Sequence, residues 1–129
     1  MVLDTSALLA LLLDEPEAEE FRTALEEDMT RLVSAATLLE TAVVIEARKG
    51  DPGGRELDLL MHKAEIVVVP VDAGHVAEAR RAFRRFGKGR HTAGLNFGDV
   101  FAYALARIAG EPLLFKGDDF AKTDVGRVI

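Results

Sequence analysis

Apolar positions along this 129-residue chain fall into two kinds of run. Short unbroken stretches read as strands: "MVLD" at 1–4, "RLVSA" at 31–35, "EIVVVPVD" at 65–72 and "EPLLFKG" at 111–117, with "RVI" at the end as one more short strand. Of these, "EIVVVPVD" is the clearest, because a continuous β-branched run is what a strand buried on both faces requires. Longer stretches carry a helical period: "TSALLALLLDE", "EPEAEEFRTALEED", "ATLLETAVVIEARKG", "AGHVAEARRAFRRF" and "FGDVFAYALARIAG". Thr5 or Ser6 is placed to cap the first of these, since a hydroxyl accepts from a free first-turn N–H. Gly50 closes the third, with Arg48 and Lys49 in its last turn where the helix dipole favours cations. "DPGGRELDLLMHKA" reads as a turn followed by another helix, and "GKGRHTAGLN" as a loop. Phe83, Phe86, Phe97, Phe101 and Tyr103 lie at helical spacing and are assigned to the core, with Phe86, beside a basic loop, also placed to stack on a base.

Strands that alternate with helices define an α/β domain with a mostly parallel central sheet covered on both faces. Residues 1–129 show no internal repeat, low-complexity tract or linker, and are expected to form one layered domain. Composition agrees: 49% of the residues are hydrophobic and only four are proline, which argues against disorder. No window reaches the roughly 18 uninterrupted apolar residues of a membrane span. The opening "MVLDTSALLALLLDE" lacks a basic leader and a small-residue cleavage site and has an acid at position 4, so it is not read as a signal peptide. The absence of cysteine excludes disulfides and thiolate metal sites and fits a reducing, cytoplasmic setting.

The net charge of −6 argues against a protein that coats nucleic acid indiscriminately, yet its distribution is uneven. Residues 80–91, "RRAFRRFGKGRH", hold six Lys or Arg and no acid, leaving 10 basic against 22 acidic residues elsewhere. A concentrated basic patch on an acidic body is a local footprint for a polyanion, or else a solvated helix face and turn.

In an open parallel sheet the ligand crevice lies outside the carboxyl ends of the strands. Asp4 ends the first predicted strand, and Asp118 and Asp119 follow the "LLF" strand, so all three belong to that rim. Asp99 occupies the first turn of the "GDVFAYALA" helix. Glu40 lies inside a helix, where its neighbours one turn away are Ala36, Val43, Val44 and Ala47, an apolar surrounding that is costly for a carboxylate. Each acid has a structural reading: a helix-dipole complement with Asn96 as cap for Asp99, turns for Asp4 and Asp118-Asp119, a buried Arg partner for Glu40. Together, however, four acids at one end of one sheet repel one another, and a divalent cation resolves that repulsion. Oxygen donors without Cys or His suit Mg²⁺ or Mn²⁺. A cation of that kind activates water and neutralises charge on phosphate oxygens, so the constellation suggests phosphodiester hydrolysis.

The order "LDTSAL", "LLETAVVIEAR", "AGLNFGDVFAYALA" and "LLFKGDDFAKTDV" resembles the PIN-domain ribonucleases, and more closely the VapC toxins of VapBC toxin–antitoxin pairs. The likeness spans essentially the whole chain, and the "GLNFGD" block followed by "LLFKGDDF" is its most specific part. It implies a PIN-like three-layer α/β/α domain and a Mg²⁺-dependent endoribonuclease that cleaves structured RNA, commonly tRNA, with Mn²⁺ able to substitute. It further implies a VapB-type antitoxin whose tail fills the active-site groove, and a homodimer. The family's acidic quartet carries over to Asp4, Glu40, Asp99 and one acid of "GDDF", Asp118 by preference with Asp119 as the alternative. Asp4 and Asp99 are then direct ligands, Glu40 and Asp118 orient water, and Thr5, Ser6 and Asn96 fix the carboxylates by hydrogen bonds. Arg81, Arg85, Lys88 and Arg90 are expected to hold RNA phosphates, Arg80 and Arg84 to solvate their helix. His62, His75 and His91 stand alone and receive no ligand role.

Two other readings compete. In one the acids bind metal within a non-catalytic RNA-binding module. The other, an Asp-based phosphotransfer domain, fits poorly: the phosphatase pattern needs a second Asp two residues after the first, and position 6 is Ser.

Overall fold

The computed structural model describes all 129 residues. Four strands, β1 (Val2–Leu3), β2 (Leu32–Ser34), β3 (Val67–Val69) and β4 (Leu113–Leu114), form one sheet in the order β3-β2-β1-β4, every pairing parallel. Six helices connect them: α1 (Thr5–Leu12), α2 (Ala18–Glu27), α3 (Ala35–Lys49), α4 (Asp51–Lys63), α5 (Ala73–Phe86) and α6 (Asp99–Ala109), followed by a 3-10 turn at Phe120–Lys122. No helix is long and apolar enough to cross a membrane.

The alternation of side chains across a strand builds the layers. Val2 and Leu113 join a core with Ala79, Ala82 and Phe86 of α5 and the buried face of α6. Their neighbours Leu3 and Leu114 point the other way, into a core with Val33, the apolar face of α1, and Phe21 and Leu25 of α2. β1 and β4 are therefore apolar at every position, because both faces are covered. At about 1.5–3 kcal/mol for each fully buried Leu, Val or Phe side chain, these two cores supply the main driving force for folding.

Three expectations need correction. The β3 run is not buried on both faces: Val67 is 57% and Val68 43% exposed, and β3 is the last strand on its side of the sheet. "DPGG" is not a turn but the start of α4 at Asp51, because a proline in the first helical turn is pre-organised and needs no N–H partner. Gly53 then lets α4 approach α3, a Cβ there falling 2.7 Å from the Ile45 carbonyl oxygen. The terminal "RVI" forms no strand, only an isolated bridge between Leu113 and Arg127.

The aromatic run also divides. Phe86 and Tyr103 are core, and Phe86, packed edge-on against His91 with 5% exposure, is not available to a base. Phe83 is 37% and Phe97 80% exposed, so neither is a core residue. Helical spacing placed them on one side of their segments without revealing that α5 and α6 leave a groove between them.

Leu114→Ala, at 1% exposure in the middle layer, is expected to cost about 2–5 kcal/mol. Leu39→Ala, at 66% exposure on α3, should stay within about 0.5 kcal/mol of wild type. Urea unfolding of the two variants measures both, and equal losses would contradict this layering.

Candidate active site

The chain adds β2 and then β3 on one side of β1 before returning to place β4 on the other. That reversal opens a crevice at the carboxyl ends of β1 and β4, the switch point of a parallel sheet. Asp4 leaves β1 into it. The segment after β4 turns sharply at Gly117, whose φ of +100° is a conformation L side chains rarely adopt, and delivers Asp118 and Asp119 on an exposed turn.

Asp4 is 4% exposed and is itself the N-cap of α1, in place of Thr5 or Ser6. Its extended backbone lets Oδ2 accept from the Ser6 N–H at 3.0 Å, and the Ser6 hydroxyl donates to the same oxygen at 2.7 Å. That hydroxyl in turn accepts the Lys116 N–H at 2.9 Å. One serine thus ties the acid after β1 to the chain leaving β4. The Thr5 hydroxyl instead donates to Glu40 Oε1.

Glu40 is half-buried on α3, and its neighbour Val43 is 61% exposed. The apolar positions around Glu40 thus face outward as well as inward, so its carboxylate is not enclosed by an apolar face. What holds it is the Thr5 hydroxyl, and the bare Cα of Gly98 leaves it room: a Cβ at residue 98 would lie 2.1 Å from Glu40 Oε2. Gly98 is the residue before Asp99, and its missing side chain is what brings α3 and the start of α6 together at their acids. Asp99 and Asn96 bond reciprocally, the Asp99 N–H donating to Asn96 Oδ1 and the Asn96 N–H to Asp99 Oδ2, each at 3.0 Å.

Burial raises the Asp99 carboxyl pKa to about 6; the Asn96 N–H opposes this, and the charges of Asp4, Asp119 and Glu40 add to it. Asp4 is likewise raised by burial, against its bonds to Ser6 and with the Glu40 charge adding. Asp4, Glu40, Asp99 and Asp119 therefore share one electrostatic environment, and of the doubled Asp it is Asp119 whose charge is felt at Asp99. None of these acids, nor Asp118, is in an ion pair. The nearby Lys116 is taken up by Glu15 and by Glu17 at 3.4 Å.

The acids do not close on a common point, and no group of three or more is drawn together as a metal cage. An open set of carboxylate oxygens still fits Mg²⁺, which keeps most of its waters and takes one or two protein carboxylates.

The basic segment is partly engaged. Arg81 pairs with Glu78 at 2.5 Å and Arg85 with Asp124 at 3.1 Å, whereas Lys88 and Arg90 are exposed and in no ion pair. Sequence reasoning had no signal for the Ser6–Lys116 link or for the role of Gly98, both of which depend on contacts between segments far apart in the chain.

A three-layer α/β/α fold with unpaired carboxylates at the switch point is the build of a PIN-type nuclease. The PIN domain family model matches residues 1–126, and the chain belongs to that family. Within it, the chain is 60% identical to Ribonuclease VapC30 of Mycobacterium tuberculosis over 99% of this chain and 98% of that one. It is 59% identical to Ribonuclease VapC of Mycolicibacterium smegmatis, with 99% of each covered. It is thus a VapC-type PIN-domain toxin of the ribonuclease class. The crystal structure of M. tuberculosis VapC20, a Sarcin-Ricin loop cleaving toxin, shares the fold, with a TM-score of 0.77 at 18% identity, covering 96% of this chain and 95% of that one.

Gly98→Ala should displace the Glu40 carboxylate, the flexible partner in that contact, and leave the fold intact. RNA cleavage is expected to fall roughly a hundredfold, the penalty for misplacing a reacting group by about 1 Å, with little change in melting temperature. Full activity in this variant would remove Glu40 from the site. A second outcome concerns pH. Because the folded Asp99 pKa lies near 6 against an ordinary 3.8, ionising it opposes folding, and stability is lost as pH rises through that window. In metal-free buffer Asp99→Asn should match wild type at the acid end and melt higher by a margin that grows to about pH 6 and then stays constant. A lower melting temperature at neutral pH would contradict mutual repulsion among the acids.

Proposed function

We propose that this protein is a Mg²⁺-dependent endoribonuclease toxin that cuts structured RNA, with tRNA as the substrate class, and that Mn²⁺ substitutes for Mg²⁺. The observation that carries the proposal is that Asp4, Glu40, Asp99 and Asp119, though not closed into a cage, act on one another's ionisation and none of them is in an ion pair. Asp4 and Asp99, the two whose ionisation burial opposes, would hold the metal. When bound, Mg²⁺ supplies a Lewis acid for the scissile phosphate and favours deprotonation of water.

The chain's own residues do the rest. Glu40, fixed by Thr5 in the space that Gly98 leaves open, orients the attacking water and accepts its proton. We assign the fourth position to Asp119 in preference to Asp118, because Asp119 acts on Asp99. Ser6 holds the Asp4 carboxylate in one orientation and Asn96 does so for Asp99. Lys88 and Arg90, exposed and in no ion pair, grip RNA phosphates. Arg81 and Arg85 do so only after exchanging Glu78 and Asp124 for the nucleic acid. A VapB-type antitoxin that covers the acid crevice, and a homodimer, complete the reading as partners carried over from the family.

Incubation of the purified protein with total tRNA tests this directly, with Mg²⁺ or Mn²⁺, with EDTA, and with Asp99→Asn alongside. Discrete fragments should appear only with wild-type protein and metal. No cleavage of tRNA or total RNA by a folded wild-type protein that melts higher in Mg²⁺ would turn the reading to a non-catalytic RNA-binding module.

A further inference from the structure

Between α5 and α6 lies an apolar groove of about 570 Å³, lined among others by Val76, Phe83, Phe97 and Phe101 and by the guanidinium-bearing Arg80 and Arg84. Phe97 presents 80% of its surface and meets Phe101 edge-on, their centroids 5.1 Å apart at 89°. No acid lines the groove. Arg80 and Arg84 are in no ion pair, unlike Arg81 and Arg85 on the same helix. A third cation, Arg90, stands 5.7 Å from the centre of the Phe83 ring. Phe97 is two residues from Asp99, so the groove and the acid crevice share the segment that opens α6.

We propose that this groove seats an unpaired base of the RNA next to the scissile phosphate, with Phe97 as its stacking platform and Arg80 and Arg84 on the adjoining phosphates. The proposal rests on the ribonuclease reading above and adds a subsite to it. Exposed aromatic faces interleaved with free cations are the chemistry that binds single-stranded nucleic acid, where rings take bases and guanidinium groups take the backbone. Arg80 and Arg84 are one helical turn apart, about 6 Å along the axis, which suits successive phosphates of an extended strand. A second copy of this chain is a poor occupant. Packing of the groove on a second copy of itself would bring two pairs of Arg80 and Arg84 into one seam, with no carboxylate in the lining to neutralise them.

The test uses Asp99→Asn protein, which keeps the groove and does not turn RNA over, and a short single-stranded RNA carrying 2-aminopurine. Stacking should quench the probe. Adding Phe97→Leu, which keeps apolar bulk but removes the ring, should abolish quenching and weaken binding about tenfold, while Phe97→Trp should retain both. Arg80→Ala and Arg84→Ala should each reduce the salt dependence of log K by about 0.7. In the otherwise wild-type enzyme, Phe97→Leu should raise KM and relax the base preference beside the cut, read by sequencing fragment ends of total RNA. Unchanged quenching and affinity in Phe97→Leu would overturn the proposal. So would a dimer that dissociates in Phe97→Leu with RNA binding intact, since the groove would then be a subunit interface. If wild type cleaves RNA and Phe97→Leu cleaves it with the same KM and sites, the subsite fails and the ribonuclease reading stands. If quenching depends on Phe97 but wild type cleaves nothing, the subsite stands and the ribonuclease reading fails.

Discussion

Strands that run parallel must all release the chain at the same edge of the sheet, and this constraint organises everything else in the molecule. It sends Asp4 from β1 and Asp119 from beyond β4 to one rim, although the two are separated by most of the sequence. It also requires helical crossovers, and two of those helices carry the remaining acids, Glu40 on α3 and Asp99 on α6. The reversal of strand order then leaves a gap between the crossovers where β1 and β4 meet, and the acids line that gap.

Gathering carboxylates in this way works against folding, since burial and mutual repulsion both disfavour their charged forms. The opposing terms are local. Hydroxyls and backbone N–H groups from Ser6, Thr5 and Asn96 stabilise each carboxylate in place, and the two apolar cores behind the rim hold the strands that carry them. The site is thus strained electrostatically and rigid sterically. That combination favours a ligand able to remove the repulsion without rearranging the scaffold.

Much of this was legible in the residues themselves. Unbroken apolar runs located the four strands and the 3.6-residue period located the helices, because covering both faces of a parallel sheet leaves a strong pattern. The rim position of Asp4 followed from its place at the end of a strand. What could not be read depends on which elements lie next to one another. The exposure of Val67 and Val68 follows from β3 being an edge, a property of strand order that no local window contains. Phe97 looked like core because its spacing from Phe101 is helical, yet it precedes α6 and projects beyond the packed face. The engagement of Arg85 by Asp124 links residues 39 apart in the chain and separates it from neighbours of the same charge.

The open flank of β3 has a consequence for the protein in a crowded solution. Its outer backbone groups face no further strand, and two of its valines are solvent-accessible, which together form a template on which another extended chain can grow. Glu65 with a φ of +51° bends the chain just ahead of the strand, and Pro70 follows it without an amide hydrogen. These two residues act as gatekeepers: they confine the sticky edge to three residues, too short a tract to nucleate a stack of identical sheets.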